Sequence, residues 1–257
     1  MVGEERRGPR GANRGLERRG GASGNEADAR ITHAMEDYLK AIYRLETDET
    51  SASTQRLADE LGISGPSVTN MAKRLHDLGL VSHEPYQGVR LTERGRAVAL
   101  EVIRHHRLLE LYLTETLGFG WDEVHEEAER LEHHLSEALE ARIDRLLGYP
   151  THDPHGDPIP SASGDIASVA PTRLAELPPD CTATVTRVDD RDPAKLRFLG
   201  DLGIRPGVAV RVLERFPFDG PLRVDVAGDE HLLGPGVAGA VNVELAAGGA
   251  DGGEPAR

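Results

Sequence analysis

The sequence predicts a mainly α-helical protein that ends in a small all-β domain. Apolar residues recur at helical spacing through most of residues 33–148, which indicates helices that share a core. Residues 148–165 are dense in proline and glycine and interrupt that pattern. Beyond them, short apolar runs at residues 181–188, 207–214, 221–228 and 240–245, separated by glycine and proline, are typical of strands in a small antiparallel barrel.

The bulk composition limits the class of protein. The chain has 257 residues, 38% of them hydrophobic and 4% aromatic, enough for one large domain or two to three small ones. No apolar run approaches the ~18 residues of a membrane helix, and the Arg/Gly-rich N-terminus lacks the hydrophobic stretch of a secretory signal. The single cysteine, Cys181, excludes an internal disulfide. We therefore expect a cytoplasmic protein with no membrane partner.

Changes in pattern along the chain predict the domain boundaries. Both ends lack periodicity and are predicted to be disordered tails, at residues 1–30 and 246–257. Between them we predict a first helical domain that ends in a hairpin, a second helical domain, a linker and the barrel, at residues 31–92, 93–150, 151–170 and 171–245.

The first domain has the element order of a winged helix-turn-helix. Its first helix has an apolar stripe of Met35, Tyr38, Leu39, Ile42 and Leu45. The segment "TQRLADELG" (54–62) predicts a short helix capped by Ser53 or Thr54, and "SVTNMAKRLHDLG" (67–79) a third. The segment "LVSHEPYQGVRLT" (80–92) then predicts two short strands around a turn. Together these elements predict a DNA-binding domain.

Three helices are predicted for the second helical domain. The first runs from about Thr92 to Leu117, the second starts near Trp121 with Asp122 as its cap, and the third ends at Gly148. The second helix has a core stripe, which consists of Val124, Ala128, Leu131 and Leu135.

The net charge of −14 argues against a nucleic-acid partner when it is taken as a whole. Its distribution weakens that objection. Residues 1–92 carry 13 Lys/Arg and 14 Asp/Glu, whereas residues 93–257 carry 17 and 30. The excess of acid therefore lies outside the predicted DNA-binding domain.

The segment "HEEAERLEHH" (125–134) concentrates carboxylates and imidazoles on one helix. On that helix His125, Glu129, Glu132 and His133 share one side, at the edge of the core stripe. The preceding helix offers His106 and Glu110 at the same i, i+4 spacing. Half-buried carboxylates cost free energy unless their charge is compensated, so the pattern favours a divalent metal ion.

Two other interpretations of this face compete with a regulatory metal site. An ordinary solvated face with stray histidines would bind no metal. A metalloenzyme would need a catalytic pattern, but Glu129 stands where the zinc-protease motif His-Glu-x-x-His has its second histidine. Arg130, three residues before His133, likewise excludes the di-iron Glu-x-x-His pair. We therefore expect no enzyme activity.

Four segments resemble the diphtheria-toxin-repressor family of metal-dependent transcriptional repressors. They are "SGPSVTNMAKRLHDLGLV", "RHHRLLELYL", "WDEVHEEAERLEHHLS" and "DPHGDPIP". Within the family, the chain is most similar to manganese-transport regulators with a C-terminal SH3-like (FeoA-like) domain. The resemblance implies a winged helix, a helical metal-binding and dimerisation domain, a flexible linker and the barrel. It also implies a metal-loaded homodimer that binds palindromic operators of metal-uptake genes, with no small-molecule substrate beyond the metal ion.

The resemblance also implies the metal ligands. A primary site would consist of Asp37, Glu129, Glu132 and His133, and an ancillary site of His106, Glu110, His125 and Asp192 from the barrel. Iron-responsive relatives have methionine and cysteine at the positions of Asp37 and Glu129. Oxygen ligands favour manganese over softer metals, so we expect Mn(II), with Fe(II) as the alternative. Lys40 stands where short manganese regulators have a bridging glutamate, and Lys195 where an amide ligand is expected.

The DNA contacts follow from the same resemblance. Pro66 and Asn70 occupy the base-proximal positions of the recognition helix, where Pro can contact a thymine methyl and Asn an adenine edge. The phosphate contacts are expected from Ser64, Ser67, Thr69 and Arg74, with Arg90 in the wing. A winged-helix regulator that does not respond to metal remains a less favoured alternative.

Overall fold

A computed structural model describes residues 31–46, 50–84, 88–167 and 172–245. The two predicted tails, at residues 1–30 and 246–257, lie outside these ranges. Among the described residues, no helix is both long and apolar enough to cross a membrane.

The first part of the structure is a three-helix unit followed by a β-hairpin. Its elements are α1 (His33–Leu45), α2 (Thr54–Leu61), α3 (Gly65–Asp77), β1 (Val81–Glu84) and β2 (Gly88–Leu91). Ser53 caps α2 by accepting from the Arg56 amide, and Gly62 ends it at a φ of 64°, a left-handed conformation that glycine adopts without strain. Strands β1 and β2 pair antiparallel with Val81 opposite Leu91. This is the winged helix-turn-helix that the sequence predicts.

A second group of helices packs against α1. It consists of α4 (Glu93–Leu117), α5 (Val124–Leu131), a 3-10 turn (Glu132–His134) and α6 (Glu137–Leu146). Thr92 caps α4 by accepting from the Gly95 amide, and α4 is the long central helix on which the other elements lie.

The acidic segment differs from its prediction in two ways. Helix α5 has Glu123 at its N-cap with no side-chain hydrogen bond, whereas Asp122, the predicted cap, lies 3.4 Å from Arg197 of the C-terminal domain. The helix also ends at Leu131, because the chain tightens into the 3-10 turn and is extended at Leu135. The predicted stripe is therefore broken: Val124 and Ala128 are buried, but Leu131 is exposed and Leu135 is only partly buried.

The proline- and glycine-rich segment is packed against the protein rather than free, in contrast to the flexible linker that the family resemblance implies. Arg107 of α4 donates to Asp157 (Nη2–Oδ1, 2.9 Å) and Arg104 to the carbonyl of Pro160 (2.8 Å). The Val188 amide donates to the His155 carbonyl at 2.8 Å, which ties the segment to the C-terminal domain. These ionic and backbone contacts leave no trace in hydrophobic periodicity. Residues 168–171 of this region lie outside the described ranges.

The C-terminal domain is a six-stranded antiparallel sheet with the order β3-β8-β4-β5-β6-β7. Its strands are β3 (Thr172–Arg173), β4 (Thr182–Val188), β5 (Ala209–Arg215), β6 (Leu222–Val226), β7 (Asp229–Leu233) and β8 (Val241–Leu245), and its helices are α7 (Pro193–Asp201) and α8 (Pro235–Ala238). The apolar runs predicted β4, β5, β6 and β8. They did not predict β7, because this polar strand buries only Leu233.

Trp121 connects the two halves of the molecule. It precedes α5, yet its side chain is buried in the core of the C-terminal sheet domain. The Arg205 guanidinium lies 4.6 Å from the centre of its ring system, and the Trp121 carbonyl accepts from His155 Nε2 at 2.6 Å. The acidic helix is thereby held at a fixed place beside the sheet domain.

Candidate metal centre

Three of the four predicted primary ligands, Asp37, Glu132 and His133, offer ligand atoms within 4.8 Å of one another between α1 and the end of α5, whereas Glu129 groups with Glu132 and His106. Asp37 Oδ1 lies 2.8 Å from His133 Nε2, and Glu132 Oε1 lies 3.5 Å from the same nitrogen. Glu132 is fully buried, whereas Glu129 is about one third exposed. We call Asp37, Glu129, Glu132 and His133 the first cluster.

Lys40 lies within the first cluster, one turn after Asp37 on α1. Its Nζ is 2.7 Å from Glu129 Oε1 and 2.6 Å from Glu132 Oε1. Burial alone would raise the pKa of Glu129, but the Lys40 ammonium lowers it below the usual range. Lys40 was predicted only as a substituted ligand, and no pattern in the sequence indicated these contacts, which join residues 89 and 92 positions apart.

His133 is oriented by two carboxylates. Its Nδ1 donates to Glu36 Oε2 at 2.6 Å while its Nε2 faces Asp37. Hydrogen bonds to Asp37 and Glu36 raise the pKa of His133 to about 10. Glu36 was missed by the sequence analysis, although its place beside Asp37 was a signal. A carboxylate that holds one imidazole N–H directs the other nitrogen toward a metal.

The predicted ancillary ligands His106, Glu110 and His125 also lie together. Glu110 Oε1 accepts from His106 Nε2 and from His125 Nδ1, both at 3.0 Å, and Glu110 is fully buried. Burial would lower the pKa of His106, but Glu110 and Glu132 raise it to about 9. His106 Nδ1 lies 2.5 Å from Glu132 Oε2, so this group adjoins the first cluster.

The barrel carboxylate that lies beside this group is Asp190, whereas the predicted Asp192 is not among the candidate ligand groups of the described residues. Asp190 Oδ2 lies 3.5 Å from His125 Nδ1, within reach of a metal ion shared with His106 and Glu110. The Asp192 carboxylate instead caps α7, because its Oδ1 accepts from the amides of Ala194 (3.1 Å) and Lys195 (3.3 Å). We call His106, Glu110, His125 and Asp190 the second cluster.

The other oxygen of Glu110 faces two buried side chains that the sequence analysis did not select. Glu110, Asp153 and His155 are all buried and offer ligand atoms within 4.8 Å of one another. Burial, followed by the charge of Glu110, raises the pKa of Asp153 well above its usual range. The only signal in the sequence was the segment "DPHGDPIP", which had contributed to the family resemblance and the linker assignment.

The donor set around Glu110 fits a divalent cation. Within the described residues, three of its buried atoms have no hydrogen-bond partner: Glu110 Oε2, Asp153 Oδ2 and His155 Nδ1. Their nearest charged neighbours are beyond hydrogen-bond distance, at 3.8 Å between Glu110 Oε2 and His155 Nδ1 and 3.7 Å between Asp153 Oδ2 and Arg107 Nε. Buried polar atoms without a partner are rare and require an explanation such as a bound ion or water. Carboxylate oxygens and imidazole nitrogens are ligands for Mn(II) and Fe(II), and no sulfur atom belongs to either cluster among the described residues.

The predicted DNA-contacting residues lie on and beside α3. Ser64 is its N-cap and hydrogen-bonds Ser67 (Oγ–Oγ, 2.8 Å), while Thr69 Oγ1 donates to the Gly65 carbonyl at 3.1 Å. The exposed residues are Ser64, Pro66, Ser67, Asn70 and Arg74, and Thr69 is partly buried. Arg90 lies in β2 of the wing. The N-terminal part of the helix is thus available to a macromolecular partner.

Three protein-family models match the chain. Residues 30–89 match the "Iron dependent repressor, N-terminal DNA binding domain" and residues 92–161 the "Iron dependent repressor, metal binding and dimerisation domain". Residues 172–245 match the "FeoA domain".

Similar proteins include repressors named for iron and for manganese. The iron-dependent repressor IdeR of Mycobacterium tuberculosis is 36% identical over 229 residues, which cover 83% of this chain and 98% of that protein. The diphtheria toxin repressor of Corynebacterium diphtheriae is 30% identical over 224 residues, covering 83% and 98%. A solved "Manganese-dependent transcriptional repressor complex with manganese" has a TM-score of 0.76 and 41% identity, and covers 82% of this chain and 100% of that one.

Proposed function

This chain belongs to the family of iron-dependent and diphtheria-toxin repressors, and we propose that it is a manganese-activated member. The expected family and fold class are confirmed, so the protein is a metal-dependent transcriptional repressor and not an enzyme. In our proposal, the Mn(II)-loaded homodimer binds palindromic operators of metal-uptake genes.

The convergence of two regions on the first cluster is the observation that carries this proposal. Asp37 and Lys40 lie on α1 of the winged-helix unit, whereas Glu129, Glu132 and His133 lie in and after α5. A divalent ion supplies positive charge that three carboxylates would share. Asp37, Glu132 and His133 would then hold α1 at a fixed distance from the acidic segment. Helix α1 packs against α2, and α2 packs against α3. The position of α1 would therefore set the position of α3, the proposed recognition helix.

The ligand types support Mn(II) as the activating metal, with Fe(II) as the alternative. Asp37, Glu129 and Glu132 give the first cluster oxygen donors, and His133 gives it one nitrogen donor. Mn(II) gains least of the first-row divalent ions from soft donors, so an oxygen-rich shell penalises it least.

We assign a second ion to Glu110 and the side chains around it. Its candidate partners are His106, His125 and Asp190 on one side and Asp153 and His155 on the other. The unpartnered atoms of Glu110, Asp153 and His155 support this assignment, and so does the contribution of Asp190 from the C-terminal domain.

The exposed residues of α3 support an operator partner. Asn70 would accept and donate at an adenine edge, Pro66 would contact a thymine methyl, and the remaining predicted residues would contact phosphates. The homodimer is supported by exposed apolar side chains on and around the helical domain, which are Leu117, Leu139, Leu146 and Tyr149.

A titration of labelled palindromic promoter DNA tests the proposal. Chelator-stripped protein is added at matched free concentrations of Mn(II), Fe(II) or neither, and operator affinity is measured against scrambled DNA. We expect Mn(II) to strengthen binding to the palindrome about 5- to 150-fold. Equal affinity with and without metal would favour the metal-independent regulator, and a stronger response to Fe(II) would favour the iron-dependent one.

A further inference from the structure

Lys40 is the most deeply buried lysine among the described residues, with a side chain only 5% exposed. A buried ammonium is costly unless it is paired, and Lys40 is paired twice. Its partners are one oxygen each of Glu129 and Glu132, at 2.7 and 2.6 Å. Lys40 therefore bridges α1 and the acidic segment.

These same two oxygens belong to groups that would bind a metal ion. Glu132 Oε1 is also 3.5 Å from His133 Nε2. Glu129, Glu132 and His106 also offer ligand atoms within 4.8 Å of one another, so a metal ion could bind among these three as well. Hard cations bind carboxylate oxygens at about 2.0–2.6 Å, which would bring an ion on Glu132 Oε1 close to the ammonium. The repulsion between the two cations would be strong in this buried place.

The Lys40 side chain has space to move away from Glu129 and Glu132. A cavity of about 280 Å³ adjoins it and is open to solvent. Asp37, Glu129 and Lys40 line one part of this cavity, and Glu60 of α2 lines another. A flexible four-carbon side chain can rotate into this space, where Glu60 offers it another carboxylate, although Arg44 also lines the cavity.

We propose that Lys40 is a tethered competitor of the activating metal ion. Its ammonium holds the oxygens of Glu129 and Glu132 until the ion arrives, and it has to leave them for the ion to bind. The exchange has two effects: it raises the metal concentration needed for activation, and it keeps the carboxylates from repelling one another beforehand. This inference rests on the proposed metal function.

Calorimetric titration of Mn(II) into the full chain, without DNA, tests this exchange. Lys40→Met removes the charge but keeps an unbranched side chain of similar length. We expect its affinity at the first cluster to rise about tenfold, which corresponds to about 1.4 kcal/mol. The melting temperature of the metal-depleted variant should fall, because the carboxylates lose their cation. Lys73→Met, which removes an exposed lysine from α3, is the matched control and should bind Mn(II) as the wild type does.

Lysine reactivity in the wild type gives a second measurement that does not depend on a variant folding. The chain has three lysines, Lys40, Lys73 and Lys195, so reductive methylation followed by peptide mass spectrometry resolves each one. We expect Mn(II) to increase the methylation of Lys40 severalfold and to leave Lys73 and Lys195 unchanged.

Three results would overturn the inference. Mn(II) could bind Lys40→Met equally or more weakly, or Lys40 could stay protected in the Mn(II)-loaded wild type. In either case Lys40 would support the ligands without competing, while the proposed function would stand. A wild type that binds no Mn(II) in the calorimeter would overturn both proposals.

Discussion

The two clusters differ in how their negative charge is compensated. In the first cluster a flexible lysine from α1 neutralises Glu129 and Glu132, and Glu129 is partly exposed. In the second cluster the buried Glu110 is held by His106 and His125, and its other oxygen, Oε2, makes no hydrogen bond within the described residues. The first cluster joins the winged helix to the acidic segment, and the second joins α4 to the C-terminal domain through Asp190.

This difference indicates a division of roles. The first cluster spans two regions that the Lys40 ammonium holds together. Such a site suits a switch, because exchanging the ammonium for a metal ion changes what holds the two regions together. A site built on a fully buried carboxylate, with ligands already in contact, suits a permanent ion that stabilises the fold. We therefore expect changes in the first cluster to affect metal response most, and changes in the second to affect stability and metal count.

The largest expected effect on metal response is that of Glu132→Gln. Glu132 contacts Lys40, His106 and His133, so its loss removes the centre of the first cluster. The gain in operator affinity on adding Mn(II), about 5- to 150-fold, should disappear. Glu126→Gln, at an exposed position on the preceding helix α5, is the control and should keep the gain. A Glu132→Gln protein that still responds fully would place the switch outside the first cluster.

The next largest effect concerns the choice of metal. The double variant Asp37→Met, Glu129→Cys replaces two anionic oxygens with a thioether and a thiolate. It should lose activation by Mn(II) while keeping or gaining a response to Fe(II) or Co(II), because soft donors favour those ions. Operator binding at matched free-metal concentrations under anaerobic conditions measures this. An unchanged preference for Mn(II) would show that selectivity arises outside these two residues.

The sequence predicts contacts within one helix well and contacts between distant segments poorly, for physical reasons. The stripe on α1 and the caps at Ser53 and Thr92 depend on neighbours within one helix, so spacing alone reveals them. The contacts of Lys40 with Glu129 and Glu132 join residues about 90 positions apart, which no helical pattern encodes. The helical wheel also fails at Glu132, where the 3-10 turn directs its carboxylate toward Lys40 and His106 and leaves His133 facing α1.

A smaller effect on metal response, with a larger one on stability, is expected for Glu110→Gln. Breaking a buried ion pair from one side typically costs about 3–5 kcal/mol, so the free energy of unfolding should fall. Calorimetry should count one Mn(II) fewer per chain, while the remaining ion still strengthens operator binding. Glu115→Gln, at an exposed position on α4, controls for the loss of charge. An unchanged metal count would exclude Glu110 as a ligand.

The smallest expected effect separates Asp190 from Asp192. Asp190 is at the edge of the second cluster, 3.5 Å from His125, so Asp190→Ala should weaken the second Mn(II) by about 1 kcal/mol, a factor of about five. Asp192→Ala should leave that affinity unchanged and instead cost about 0.5–2 kcal/mol of stability, because α7 loses its cap. Calorimetry and thermal unfolding of the two variants side by side measure both quantities. The reverse result, with metal affinity lost only in Asp192→Ala, would return the barrel ligand to the position first predicted from the sequence. The second cluster would then have to rearrange around its ion, and the contrast between a preset site and a switching site would fail.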